Sequence, residues 1–219
     1  MVKKAFVSWS GGKDTSLAFY KAKKTHNLEV KYLLNMVSED GMRSRSHGLR
    51  SELLKLQAQA MGIPIVQRKT TWQNYEEEFK KAVGSFVKEG VQAGVFGDID
   101  FQEHRDWVDR VCKEVGIKPI LPLWKREREK LITEFVHLGF KAIIVATNSE
   151  FLGKEWLGRR IDRKLIKELK ATGNVDLCGE GGEYHTFVYD GPIFKKPVEF
   201  TMGKKVLKDK HWFLEISPK

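Results

Sequence analysis

Four times in its first 115 residues the chain passes from a short apolar run to a stretch with apolar residues at helical spacing. "AFVSW" leads into a helix expected from about Asp14 to Lys24. "VKYLLNMV" precedes "HGLRSELLKLQAQAMG", where Leu49, Leu53, Leu56 and Ala60 share one face and Gly62 ends the helix. "IPIVQRK" precedes a helix striped by Tyr75, Phe79, Ala82, Val83 and Phe86, and "AGVFGDI" one striped by Trp107, Val108, Val111, Cys112 and Val115. "KPILPLW" adds a fifth short strand. Strands this apolar, each followed by a helix, require a parallel sheet covered on both faces. The fold class expected is therefore α/β, a doubly wound parallel sheet. Ligands of such sheets bind beyond the strands' carboxyl ends. The turns "SGGKDT", "SEDGMRSRSHG" and "GDIDFQEHR" each follow a strand and are expected to meet at one crevice.

The pattern changes near 123–126. A helix around Leu131–Leu138 leads to a buried strand, "FKAIIVATN". A turn and a helix ending near Gly173 follow, and after "CGEGGEYHTFVYDGP" the remainder reads as β. We place one half at 1–124 and a smaller mixed α/β half at 125–219. Hydrophobic residues are 41% and charged residues 31% of the 219, which excludes a disordered or fibrous chain. No apolar run reaches the roughly 18–20 residues of a membrane span. The apolar stretch after Lys3 and Lys4 stops too early for a secretory signal, so a cytoplasmic protein without membrane association is expected. Cys112 and Cys178 lack the spacing of a zinc site or disulfide framework, and Cys112 lies on an apolar stripe, as a core residue would. The formal charge of +10 favours an anionic partner or a lysine-rich solvated surface.

The turn after the first strand carries the chemistry. Gly11 and Gly12 weaken strand and helix alike, and let backbone N–H groups approach an anion at the positive end of the next helix. Ser10 and Thr15 add hydroxyls and Lys13 a point charge. Asp14 suits a first-turn position and is a candidate magnesium ligand. The Walker A pattern fails, because it needs Gly at Val7 and Ser or Thr at Asp14. The dinucleotide pattern fails because Gly11 and Gly12 are adjacent.

"SGGKDT" resembles the S-G-G-x-D-[ST] loop of the PP-loop ATP pyrophosphatases, whose fold is of the HUP-like type. That family cleaves ATP between its α and β phosphates, so the resemblance implies ATP and Mg2+ as cofactors. It also implies adenylation of a substrate oxygen before a nucleophile attacks. "GDIDFQEHR" resembles the G-D-I segment of one branch, the diphthine–ammonia ligases. There an Arg and a later acid follow the strand; Arg105 and Asp109 match, although the acid is more often Glu. "EGGEYHT" matches that branch's E-G-G-E-[YF]-x-T signature over 180–186 and is the most branch-specific motif in the chain.

The resemblance implies ATP contacts at Ser10, Gly11, Gly12, Lys13, Asp14, Thr15, Met36, His47 and Gly97. It implies catalytic roles for Lys13, Asp14, Asp98, Glu180 and Glu183. Substrate contacts fall to Arg105, Gly181, Gly182, Glu183, Tyr184, His185 and Thr186. Plain readings stand beside these. Arg105 and Asp109 at i,i+4 would form a solvated salt bridge, His47 would cap its helix, and Tyr184 and His185 would be strand residues. Two carboxylates as near as Glu180 and Glu183 are expected to raise each other's proton affinity. The partners implied are elongation factor 2 bearing diphthine, and ammonium. The competing readings are a tRNA-modifying PP-loop enzyme and a non-catalytic adenine-nucleotide sensor. Paired catalytic cysteines of the thiolating enzymes are missing, and "GEGGEYHT" makes a poor RNA surface.

Overall fold

The computed structural model describes residues 2–219. Strands β1 (Lys3–Ser8), β2 (Leu28–Val37), β3 (Ile65–Lys69), β4 (Ala93–Val95) and β5 (Lys118–Ile120) form one sheet of order β3-β2-β1-β4-β5. Every pairing in it is parallel. Helices α1 (Lys13–His26), α2 (Ser51–Met61), α3 (Tyr75–Lys88) and α4 (Gln102–Glu114) connect the strands. This is the doubly wound arrangement that the alternating pattern requires.

Residues that alternate along a strand point to opposite faces, and the core divides accordingly. Ala5, Val7 and Leu33 pack with Leu17 and Phe19 of α1 and Leu53 and Leu54 of α2. Phe6, Leu34 and Met36 pack on the other face with Phe79 and Phe86 of α3 and Val108 and Cys112 of α4. Cys112 is therefore a core residue, and burial pushes its thiol up to about 12.

The helix α2 begins at Ser51, not at His47. Residues 43–50 instead form a tight excursion with antiparallel bridges Val37↔Ser44 and Arg43↔Arg50. Gly48 turns it through the left-handed region at φ +64°. Leu49 is buried, but from this turn and not from the helix, so it is no part of a helical stripe.

The second sheet is antiparallel, of order β7-β6-β9-β8. It comprises β6 (Lys141–Asn148), β7 (Tyr184–Asp190), β8 (Phe200–Lys208) and β9 (His211–Pro218). Helices α5 (Arg128–His137) and α6 (Arg163–Thr172) accompany it. The β region starts at Tyr184, inside the stretch "CGEGGEYHTFVYDGP" after which β structure is expected. One hydrophobic cluster contains residues of both sheets, such as Ala5, Ile144 and Phe187, with Phe135 of α5. Strand β7 is tied to the first glycine-rich turn, because the Val188 N–H donates to the Gly11 carbonyl at 3.0 Å. No helix among the described residues is long and apolar enough to cross a membrane.

Candidate active site

The glycine-rich turn is held from behind by a buried polar network. The Gln57 amide on α2 donates to the carbonyls of Gly11 (3.0 Å) and Val188 (2.6 Å). Its oxygen accepts the Trp9 indole N–H at 2.9 Å. Asn35 donates to the Trp9 carbonyl at 2.9 Å. Gln57 and Asn35 are almost wholly buried, so these bonds replace water and fix the turn.

Both glycines are required by space. Gly11 has φ +80°, and a Cβ there would lie 2.8 Å from the Gln57 oxygen and 3.3 Å from Leu49 Cδ1. A Cβ on Gly12 would fall 2.2 Å from Cε1 of His47. The His47 ring is itself stacked on His185, with centroids 4.7 Å apart. Burial lowers the proton affinity of both rings, that of His185 to about 4, so both are neutral at pH 7. With α2 starting at Ser51, His47 walls the turn and does not cap the helix.

The α1 N-terminus leaves a donor open. The Lys13 N–H donates to Thr186 Oγ1 at 3.0 Å and the Ser16 N–H to the Gly12 carbonyl. The Thr15 N–H has no acceptor among the described residues, and the Asp14 N–H meets only its own carboxylate. Ser10 Oγ and Thr15 Oγ1 are 3.0 Å apart beside them. Gly97 packs onto this first turn; a Cβ there would sit 2.9 Å from the Thr15 nitrogen.

The three turns meet around a cavity of about 560 Å³. Its lining includes Ser10, Lys13, Asp14 and Thr15 from the first turn, Met36 from β2, His47 from the second turn, and Gly97 and Asp98 from the third. The acidic turn contributes Glu180, Gly182, Tyr184, His185 and Thr186. The convergence expected from strand order is thus present, with the second half closing one side.

Lys13 spans the two glycine-rich turns. Its ammonium lies 2.8 Å from Asp14 Oδ2, donates to the Cys178 carbonyl, and sits over the Tyr184 ring at 5.1 Å from its centroid. Burial is the largest single influence and opposes this charge, but Asp14, Tyr184 and Cys178 together outweigh it and hold Lys13 above the ordinary lysine range. Glu180 is pushed up to about 7, first by burial and next by Asp14. Asp98 bonds His104 Nδ1 at 3.2 Å, which raises the histidine's proton affinity.

Gly11, Gly12, Gly181 and Glu183 do not line the cavity. The Glu183 side chain is buried inside its own turn, where Oε1 accepts the Asp176 N–H at 3.1 Å and Oε2 has no partner among the described residues. It is therefore not the neighbour that raises Glu180; the Asp14 carboxylate is. Arg105 also stands outside the cavity lining. It pairs with Asp109 at 2.6 Å and lies half-buried over the Trp124 ring.

Sequence reasoning missed the residues that hold the site together. Gln57 left one signal, a polar side chain one turn after Leu53 on a face that is otherwise apolar. Arg128 left none: it pairs with Asp100 at 2.6 Å and with Asp176, tying the turn after β4 to the acidic turn. Tyr75 and Trp107, read as helix-stripe residues, also line the cavity, beside Trp72 and Phe101.

Comparison with known proteins agrees with this architecture. Residues 3–119 match the family model of the diphthamide synthase N-terminal domain, and residues 127–218 that of its C-terminal domain. A Homo sapiens protein named diphthine–ammonia ligase is 28% identical over 181 residues, covering 75% of this chain and 68% of that protein. The Danio rerio protein of that name is 26% identical, covering 94% and 90%. The Schizosaccharomyces pombe protein is 28% identical over 88% of this chain but only 35% of its own length. A crystal structure described as a predicted subunit of tRNA methyltransferase, from Methanocaldococcus jannaschii, superposes with a TM-score of 0.45 at 17% identity. It covers 90% of this chain and 100% of that one, and the likeness is too slight to carry an argument. With consecutive family models matching nearly its whole length, the chain belongs to the diphthamide synthase family.

Proposed function

We propose that the chain is an ATP-dependent amide ligase that converts the diphthine carboxylate of elongation factor 2 to diphthamide, with ammonia as nitrogen donor. One observation carries the reading: an anion-binding turn and a carboxylate of raised proton affinity, Glu180, face each other across one cavity. The relatives' name, diphthine–ammonia ligase, supports it.

In this reading residues 1–124 hold the nucleotide and 125–219 close the site over the acceptor. A substrate carboxylate oxygen bonds the α-phosphorus of ATP, and the bond to the β-phosphate oxygen breaks. Pyrophosphate leaves with that electron pair. The open Thr15 N–H, with the Ser10 and Thr15 hydroxyls, meets the charge that develops on it. Lys13 supports them from below by fixing the acidic turn through Cys178. Ammonia then attacks the acyl carbon, and the carbon–oxygen bond to AMP breaks. Ammonium must first give up a proton. Glu180, with a proton affinity near neutral pH, attracts the cation and accepts that proton. Holding acceptor, phosphate and amine in line supplies much of the remaining rate.

Asp14 brings a single carboxylate to the phosphate-binding cavity, so a magnesium ion there would be held mainly by phosphate oxygens and water, with Asp14 beside them. Bound there, magnesium would neutralise phosphate oxygens.

The test supplies ATP, magnesium, isotopically heavy ammonium and diphthine-bearing elongation factor 2. Intact mass spectrometry should show the acid-to-amide mass change with the heavy nitrogen incorporated, and AMP should form in equal amount. AMP formation with tRNA in place of the protein would assign the chain to RNA modification. Nucleotide binding without pyrophosphate release under any acceptor would make it a sensor.

A further inference from the structure

A second cavity, of about 300 Å³, lies between the 43–50 turn and the β8–β9 hairpin. We propose that it is the docking groove for an acidic segment of the protein substrate that also inserts an apolar side chain. The inference rests on reading the chain as a ligase that acts on a protein.

The groove has an apolar floor, formed by Leu49, Phe213 and Leu214 among others, and a cationic rim of Arg43, Arg50 and Lys208. Glu215 is its one carboxylate. None of the three cations makes an ion pair among the described residues; the Arg43 guanidinium donates to the Gly48 carbonyl at 2.8 Å, with the Asp40 carboxylate near it but not in salt-bridge contact. Unpaired cations around an apolar floor match an acidic peptide with an apolar anchor.

The groove also adjoins the active site. His47 lines both cavities, and Leu49 and His47 are the side chains packed behind Gly11 and Gly12. A chain lying in the groove is therefore one side chain away from the site where its modified residue must react.

Strand β8 forms the outer wall and is the last strand of its sheet, so its outer backbone edge is unpaired. Val206 and Leu207 on it are 42% and 52% exposed. The same strand carries Lys204, Lys205 and Lys208. Lysines set against lysines would repel a second copy of this edge, whereas an acidic extended segment would be attracted. That argument selects the substrate protein over self-association.

The test uses the full chain with Arg50→Glu and Lys208→Glu combined, leaving Arg43 to keep its bond to Gly48. The KM for diphthine-bearing elongation factor 2 should rise about tenfold or more, with turnover at saturation and the KM values for ATP and ammonium within about twofold. Arg50→Ala with Lys208→Ala should give an intermediate rise, and added salt should narrow the differences. A thermal melt separates these effects from misfolding, and the alanine pair remains decisive if the glutamate pair does not fold. An unchanged KM for the protein would overturn the proposal. If the unaltered chain forms no amide, the ligase reading fails, and binding to immobilised elongation factor 2 then decides the groove. Binding that is lost on charge reversal upholds it. No binding, equal binding by both chains, or a loss confined to tRNA binding overturns it.

Discussion

Two glycine-rich turns face each other across the cavity, and they use glycine for opposite ends. At residues 10–15 glycine removes side chains: Gln57, Leu49 and His47 already fill the space, and the backbone N–H groups are what remains to bind a ligand. At residues 176–183 the turn presents side chains. Glu180 is delivered to the cavity while Glu183 is folded back onto the Asp176 N–H. The first turn is set by packing and the second by electrostatics. Lys13 joins them, since it belongs to one turn and donates to Cys178 of the other.

The contrast can be broken from either side. The largest effect is expected at the electrostatic turn. Glu180→Gln should lower turnover by about 10²–10⁴-fold, the range for loss of a positioned base. In the unaltered chain turnover should rise through a limb near pH 7, where Glu180 ionises, and the variant should lose that limb. Stability should move the other way. The Glu180 pKa is raised in the folded chain from an ordinary 4.5 to about 7. Its protonated form therefore contributes stability below the ordinary carboxylate range, and that stability is lost as pH rises through about 7. Melting scans should find Glu180→Gln more stable than the unaltered chain at pH 8, with the advantage gone below pH 4.5. Equal pH profiles for the two chains would remove Glu180 from the proton step.

At the packed turn, Gly12→Ala should reduce nucleotide affinity and turnover by about a hundredfold, because displacing the turn by an ångström misaligns the phosphates. The steric cause has its own check. Adding His47→Ala should restore ATP affinity, read by calorimetry, to that of His47→Ala alone. Persistent loss in the double variant would mean that the clash with His47 is not the reason for glycine. The smallest effect belongs outside both turns. Arg105→Ala removes a half-buried pair with Asp109 worth a few tenths of a kcal/mol and a contact with Trp124, and turnover should stay within about twofold. A loss of tenfold or more in kcat/KM would return Arg105 to the substrate.

Legibility followed the length scale of each cause. The parallel sheet was readable because its side-chain periods are local: Ala5 and Val7 face one way and Phe6 the other whatever surrounds them. The start of α2 was not, since the bridges at Ser44 and Arg50 compete with the helical stripe and win. Gln57 escaped notice because its partners Trp9, Gly11 and Val188 lie 48, 46 and 131 positions away. Arg105 stands outside the cavity for a simpler reason. A spacing of four places Arg and Asp on one helix face, and only the packing of α4 shows that this face meets Trp124.

From the sequence alone came the alternation of strands and helices, the strand ends at which three turns gather, and the two motifs that mark opposite walls of the site. These depend on patterns a few residues long. The tertiary structure decided which way each motif faces. The Val188 N–H and the Gln57 amide draw β7 against the Gly11 carbonyl, and this brings Glu180, not Glu183, opposite the phosphate turn. A turn's side chains take their direction from hydrogen bonds made across the whole chain, and no local spacing encodes those.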